Sequence, residues 1–366
     1  MMGAKPKLFR DPVHDTIAIS RTSPAGRLAL ALVDTREMQR LRRIRQLGLS
    51  FLVYPGAEHS RFAHSLGVLW LAWQMVERLS HKVAVAEEDR VVAVAAALLH
   101  DVGHGPFSHA VEAVTGIDHE DWSRGLIEDP DSEVNRVLVG VDATLPERVV
   151  ALLDKRGGAP PWASDLVSSQ LDADRLDYIL RDGHATGVRI GNYDLARILA
   201  LLDVADGHLA VHAGAQEAVE GYLLARFHMY KQVYLHKTSR SAERMLEAAL
   251  RRAGVLQRNG HSFDYWPGGA LATLIRGEPL APGAFARIDD THVWAALSAW
   301  MDDSDRVLAD LARGLCERRL WKPFVLPPND TARAQELVAA ARSVARVKGY
   351  DPDYAVLVDA CEDPLY

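Results

Sequence analysis

The stretch DRVVAVAAALLHDVGHGPFSHAVE, Asp89 to Glu112, opens as an almost unbroken apolar run and closes with imidazole and carboxylate groups. An apolar run of this length with no polar face reads as a helix inside a bundle, not one at its surface. His100 and Asp101 fall where that buried helix ends, and His104 and His109 follow within ten residues. A buried imidazole or carboxylate must be hydrogen-bonded, paired or metal-bound, because desolvating it alone is costly. Gly103, Gly105 and Pro106 break the helical pattern, and Ser108 is placed to N-cap a following helix that carries His109 and Glu112.

The whole chain agrees with a buried helical core. Its 366 residues, 48% hydrophobic and 25% charged, match an ordinary globular protein of one large domain or two. The net charge of −7 argues against general adhesion to nucleic acid or an anionic membrane. Two cysteines, Cys316 and Cys361, give neither a disulfide framework nor a CxxC pair, which suits a reducing cytoplasm. The start, MMGAKPKLFRDP, lacks the apolar core of a signal peptide, and the run from Val91 to Leu99 is too short to span a bilayer. A cytoplasmic protein with no membrane partner is expected.

Helical patterns dominate after an extended start, LFRDPVHDTIAIS. RFAHSLGVLWLAWQMVERL is apolar on nearly every side, and WASDLVSSQLDADRLDYILRDG reads as one long helix ended by Gly183. The stretch from Gly214 to Gly254 reads as one or two more helices, and DVADGHLAVHAG as a hairpin-like connection around Asp-Gly. Past about residue 258 the sequence turns rich in Gly and Pro, and LWKPFVLPP and YAVLVDA read as strands flanking a helix from Thr331 to Lys348. The expected fold is mainly α, with a core over residues 1–257 and a small α+β segment over 258–366 packed on it.

His100 and Asp101 point about 100° apart if both are helical, but the end of a helix lets both converge on one point. Imidazole nitrogen with carboxylate oxygen is a common ligand set for divalent first-row metals. Two ligands hold a metal poorly, and two more candidates lie on other helices: His64 in SRFAHSLG and Asp174 in QLDADRLDYILRD. Ligands on three helices suit a site in a bundle core.

The order H…HD…D resembles the HD superfamily of metal-dependent phosphohydrolases. GAEHSRFAHSLGV, LLHDVGHGPFSHAVE, DADRLDYILRDGHATGV and ARFHMYKQVYLHK resemble more narrowly its deoxynucleoside triphosphate (dNTP) triphosphohydrolases, as do FRDPVHDTI and DTREMQRLRRIRQLG. The likeness runs from about Lys7 to about Leu250, and no SAM domain is expected ahead of it.

The resemblance implies one divalent transition metal (iron, zinc, manganese or magnesium) on His64, His100, Asp101 and Asp174, with Mg2+ accompanying the nucleotide. It implies His109 as the acid that protonates the leaving 5′-oxygen, supported by Glu112, with His104 and His119 facing the same phosphate. Arg61, Arg175, Tyr178, Arg226 and Tyr230 would meet the triphosphate; Arg175 stands where mammalian members carry lysine. Gln46, Leu47, Asp182 and Tyr234 would surround the sugar, Tyr234 against the 2′ carbon. Arg226, Tyr230 and Tyr234 recur every four residues as one stripe, and Asp174, Tyr178 and Arg181 form another. Asp177 and Arg181, four apart, read as a simple pair. The products would be a deoxynucleoside and tripolyphosphate. Relatives form dimers, tetramers or hexamers, some switched on by nucleotide at subunit contacts, and a dimer or tetramer is expected here; Lys7, Asp34, Arg42 and Lys237 match positions of such a regulatory site.

Two other classes fit the same fold. A nuclease acting on single-stranded nucleic acid is disfavoured by the acidity and by the lack of a basic tail interleaved with aromatics. An HD-type phosphodiesterase of the cyclic-dinucleotide kind would carry a GYP motif, which is absent.

Overall fold

The computed structural model describes residues 5–326 and 330–359; of His109 the backbone alone is described. In chain order the elements are β1 (Lys7–Asp11), β2 (Asp15–Ile19), α1 (Pro24–Val33), α2 (Arg36–Arg40), α3 (Arg61–Leu79), α4 (Glu87–Leu99), α5 (His109–Thr115), α6 (His119–Glu128), α7 (Glu133–Val139), α8 (Leu145–Leu153), α9 (Pro161–Val167), α10 (Ala173–Thr186) and α11 (Leu195–Ala200). There follow β3 (Leu202–Ala205), β4 (His208–Val211), α12 (Gln216–Met229), α13 (Lys237–Arg258), α14 (Gly269–Arg276), α15 (Pro282–Phe285), α16 (Asp290–Trp300), α17 (Arg306–Cys316), α18 (Thr331–Val347) and α19 (Pro352–Ala355). The fold is mainly α, as the apolar periodicity predicts.

Internal contacts divide the described residues into two compact units. The first runs to Leu47 and takes in Tyr54–His104 and Asp118–Tyr230; the second comprises Gly48–Val53, Gly105–Ile117 and the chain from Lys231 on. The predicted domain boundary near residue 257 lies inside α13, which belongs wholly to the second unit.

In the first unit α4 is the innermost helix. Every residue from Val91 to Leu99 is buried, with α3, α1, α8 and α9 packed around it. β1 and β2 form an antiparallel hairpin with Asp11 opposite Asp15. β3 and β4 form a second one, in which Asp206 and Gly207 both take positive φ (52° and 81°). That is the two-residue turn an Asp-Gly pair favours. In the second unit α13 packs against α5, α14 and α17, and α16 against α17.

Several local expectations are corrected. The stretch from Trp162 to Gly183 is two helices. The chain leaves α9 at Ser168, and Asp172 caps α10 by accepting from Arg175 N at 2.7 Å. Gly183 lies inside α10, which ends at Gly187 in the left-handed conformation. Ser108 precedes α5 with φ 35° and makes no side-chain cap to it. Among the described residues the C-terminal segment has no strand. Trp321 to Leu326 is irregular, with Phe324 and Val325 90% and 75% exposed, and Tyr354 lies in the short helix α19. An apolar run without a partner strand has nowhere to place its backbone hydrogen bonds as sheet. Cys361 lies outside the described residues. Among the described residues no helix is long and apolar enough to cross a membrane.

Candidate active site

Three helix ends in the first unit carry the chemistry. Ser60 caps α3, so Arg61 and His64 stand in its first turn, and His64 is fully buried. α4 stops at Leu99, and His100 is its C-cap. The turn that follows is clamped. Ser123 Oγ donates to His100 O at 3.1 Å and accepts from Gly103 N at 2.9 Å. A Cβ at Gly103 would stand 2.1 Å from Ser123 N, so only glycine fits there. The buried Arg40 donates to Val102 O at 2.8 Å. Asp174 lies in the first turn of α10.

These ends bring together the four predicted ligands. His64 Nε2 is 3.0 Å from Asp174 Oδ1 and 3.8 Å from Asp101 Oδ2. His100 Nε2 is 3.5 Å from Asp174 Oδ1 and 3.4 Å from Asp101 Oδ1. Both Nδ1 atoms are fixed elsewhere, since His64 Nδ1 donates to Asp177 Oδ2 at 2.8 Å and His100 Nδ1 to Ala97 O at 2.9 Å. The two Nε2 atoms are therefore turned toward the carboxylates. Both are buried, and neither completes a hydrogen bond. Ligand atoms bound about 2.0–2.2 Å from one ion stand about 3.0–3.5 Å apart. Three of the four separations fall in that range, the fourth, His64 to Asp101, is wider, and the orphaned nitrogens are the atoms a metal would take.

Electrostatics agree. Burial pushes the His64 imidazole down, but Asp174 and Asp177 outweigh it and raise it to about 10. Burial likewise opposes charge on His100, and Asp101 and Asp174 overcome it. Burial pushes Asp101 up, yet His100, His104 and Arg61 hold it well below the usual carboxylate range. The carboxylates thus create a field that favours positive charge at their meeting point. The cluster can hold a divalent cation.

Asp177 is a site residue that pattern reading undervalues. It is fully buried, and its carboxylate accepts from His64 Nδ1, from His14 Nε2 at 2.6 Å and from Arg181 Nε at 2.7 Å. Arg181 Nη1 also donates to Asp11 Oδ2 at 2.8 Å. Arg181 is thus turned away from the stripe predicted with Asp174 and Tyr178. Gly67 on α3 lets α10 approach, since a Cβ there would stand 1.9 Å from Asp177 Oδ1. The sequence signal for this network is the Asp11–His14 spacing in FRDPVHDTI.

The other predicted residues in the first unit mostly hold protein partners. His104 and His119 stack at 3.8 Å between centroids, and His104 Nε2 is 3.2 Å from Asp101 Oδ1. Burial and Arg61 keep His104 neutral to well below its ordinary range. Arg61 donates to Asp101 Oδ2 at 2.5 Å. Arg175 donates to Ser169 O at 2.8 Å and to Asp172. Arg226 donates to Gln170 Oε1 at 2.7 Å, with Tyr230 beside its guanidinium. Tyr178 is half-buried beside Tyr230. Asp182 pairs with His59 Nε2 at 2.7 Å, a partner the sequence did not reveal. Gln46 N donates to His59 O at 2.9 Å, and Leu47 next to it is half-buried. His109, Glu112 and Tyr234 belong to the second unit. The four-residue spacing of Arg226, Tyr230 and Tyr234 is interrupted by a π turn over Tyr230–Tyr234. Of the regulatory positions, Lys7, Asp34 and Lys237 are exposed, while Arg42 lies 3.6 Å over the Phe62 ring.

A helical bundle that gathers two histidines and two aspartates at helix ends is the architecture of an HD-type phosphohydrolase. The HD domain pattern matches residues 61–180, and that of the HD associated region matches residues 193–261. YwfO of Bacillus subtilis is 39% identical over 362 residues, covering 98% of this chain and 81% of YwfO. The deoxynucleoside triphosphate triphosphohydrolase SAMHD1 of Gallus gallus is 29% identical over 285 residues; the match spans 68% of this chain and 45% of that relative. A phosphohydrolase from Bacteroides thetaiotaomicron superposes with a TM-score of 0.83 at 35% identity, covering 96% of this chain and 86% of that one. This chain belongs to the HD-domain phosphohydrolase family.

Proposed function

We propose that the chain is a metal-dependent dNTP triphosphohydrolase that converts a dNTP and water to a deoxynucleoside and inorganic tripolyphosphate, with residues 1–257 as its catalytic core. The observation that carries this reading is the convergence of His64, His100, Asp101 and Asp174 with two buried, unbonded Nε2 atoms. The likeness to SAMHD1 supports dNTP as the substrate class.

A metal held there supplies Lewis acidity toward an α-phosphate oxygen and lowers the pKa of water. The protein's own groups do the rest. Arg175 and Arg226 exchange their present partners, Asp172 with Ser169 O and Gln170, for phosphate oxygens, which guanidinium groups can grip in pairs. Arg61 stays on Asp101 and orients it, while Tyr178 and Tyr230 line the phosphates. Neutral His104, stacked on His119, offers a hydrogen bond without repelling the cation. His109, supported by Glu112, protonates the departing 5′-oxygen. Gln46, Leu47 and Asp182 hold the sugar, and Tyr234 closes the space at the 2′ carbon. Mg2+ enters with the nucleotide. The active form is a cytoplasmic homo-oligomer, a dimer or tetramer, in which Lys7, Asp34, Arg42 and Lys237 receive an activating nucleotide.

The test is a panel of dNTPs and NTPs with a tripolyphosphate assay. The reading requires release of tripolyphosphate from a dNTP and a markedly lower kcat/KM for the matching NTP. Equal rates on both would replace it with a broader phosphohydrolase role.

A further inference from the structure

A concavity in the first unit meets the Asp177 network at His14. It has a volume of about 600 Å³, within the range of small-molecule sites. One stripe of α3 lines it with Trp70, Gln74 and Arg78, spaced four residues apart; His184 of α10 and Asn192 line it too. Among the described residues, none of these five side chains makes a hydrogen bond or an ion pair. A cation in the last turn of a helix is common and accounts for Arg78 alone. It does not account for the half-buried indole of Trp70 and amide of Gln74 left unpaired beside it; His184 and Asn192 are exposed and form the rim. The acidic group in the lining, Asp194, is engaged in capping α11, accepting from Arg197 N at 3.0 Å. The remaining polar wall is His14, whose Nε2 is held by Asp177, and Tyr193, whose hydroxyl donates to Leu176 O at 2.6 Å.

We propose that this cavity is a regulatory ligand site for a small planar organic anion. The Arg78 guanidinium is matched to a carboxylate, phosphate or phosphonate. Trp70 supplies a flat wall for a ring, and Gln74 and Asn192 both donate and accept along its edge. An occupant touches His14, and His14 shares the Asp177 carboxylate with His64. Occupancy therefore bears on how firmly His64 is aimed at the metal position. The proposal does not depend on which phosphate ester the active site cleaves.

The experiment titrates the metal-loaded protein with phenylphosphonate, which has no ester bond to cleave. Methylphosphonate lacks the ring and benzyl alcohol lacks the charge. Tryptophan fluorescence reads binding, and loss of metal to a chelator is timed with and without each probe. Phenylphosphonate is expected to saturate at one per chain, more tightly than either control, and to change the rate of metal loss. Arg78→Ala should weaken binding about tenfold or more and abolish the effect on metal loss. Trp70→Leu should bring phenylphosphonate down to the level of methylphosphonate. Absence of saturation below about 10 mM, equal affinity in Arg78→Ala or Trp70→Leu, or a metal-loss rate indifferent to the probe would each overturn the proposal.

Discussion

At Asp177 one carboxylate accepts from three side chains, and the consequence reaches the metal position through His64 Nδ1. Asp177→Asn keeps the shape but loses the charge that fixes the tautomer of His64. Outer-shell partners of metal-binding histidines contribute about 10–100-fold in metal affinity. A chelator-competition titration should show a loss of that order, and unchanged affinity would make Asp177 purely structural. His109→Ala should retain metal and lower turnover by about 10²–10⁴, the usual contribution of a general acid. If single-turnover rates stay within a factor of two, the donor is another group. The four candidate ligands are legible in the sequence through their joint pattern, a histidine, an HD pair closing an apolar helix and an aspartate on a third helix, since an HD pair alone occurs often by chance. Asp177 reads only as a helical neighbour of Arg181, because its other partners, His14 and His64, are 163 and 113 residues away. No local pattern encodes such separations.

Among the elements, the contact of α3 with α10 decides whether the cluster forms. Gly67 sits against Asp177, which three donors hold in place, so an added methyl has nowhere to go. Gly67→Ala should cost about 2–4 kcal/mol, beyond the ordinary helix gain from alanine, and should lower metal content with it. Denaturant unfolding with the m-value monitored checks this, and a stability equal to wild type would refute the contact. In the second unit Asp305 caps α17, accepting from Leu308 N at 2.9 Å, and pairs with Arg252 of α13 at 2.6 Å. Burial raises the Asp305 carboxyl, but Arg252 outweighs it and the pKa is lowered. A depressed carboxyl contributes stability above its unfolded pKa of about 4 and loses it as pH falls through the folded value. Asp305→Ala should lower Tm at pH 7, with the lost cap alone worth about 1 kcal/mol. The difference from wild type should shrink as pH drops below about 4; a gap that stays constant would remove the ion pair from the account. Periodicity finds α3 and α4 because their apolar faces are broad. It joins α9 to α10 because the break at Ser168–Asp172 is signalled only by Asp172, a cap that also reads as a helical residue. It misreads the C-terminal runs as strands because Phe324 and Val325 look like sheet residues until their exposure is seen.

For the molecule as a whole, the proposed reaction is displacement at the α-phosphorus by a site built from three helix ends that would hold one metal. Water attack there breaks the bond between phosphorus and the 5′-oxygen, so the nucleoside keeps its own oxygen and the incoming oxygen ends in tripolyphosphate. Attack at the β- or γ-phosphorus would instead give a nucleoside monophosphate or diphosphate. Hydrolysis of dGTP by the metal-loaded protein in ¹⁸O-water, read by mass spectrometry, separates these outcomes in one measurement. Displacement at the α-phosphorus puts one ¹⁸O in tripolyphosphate and none in deoxyguanosine. Label in the deoxynucleoside, or products that are pyrophosphate and a monophosphate, would contradict it.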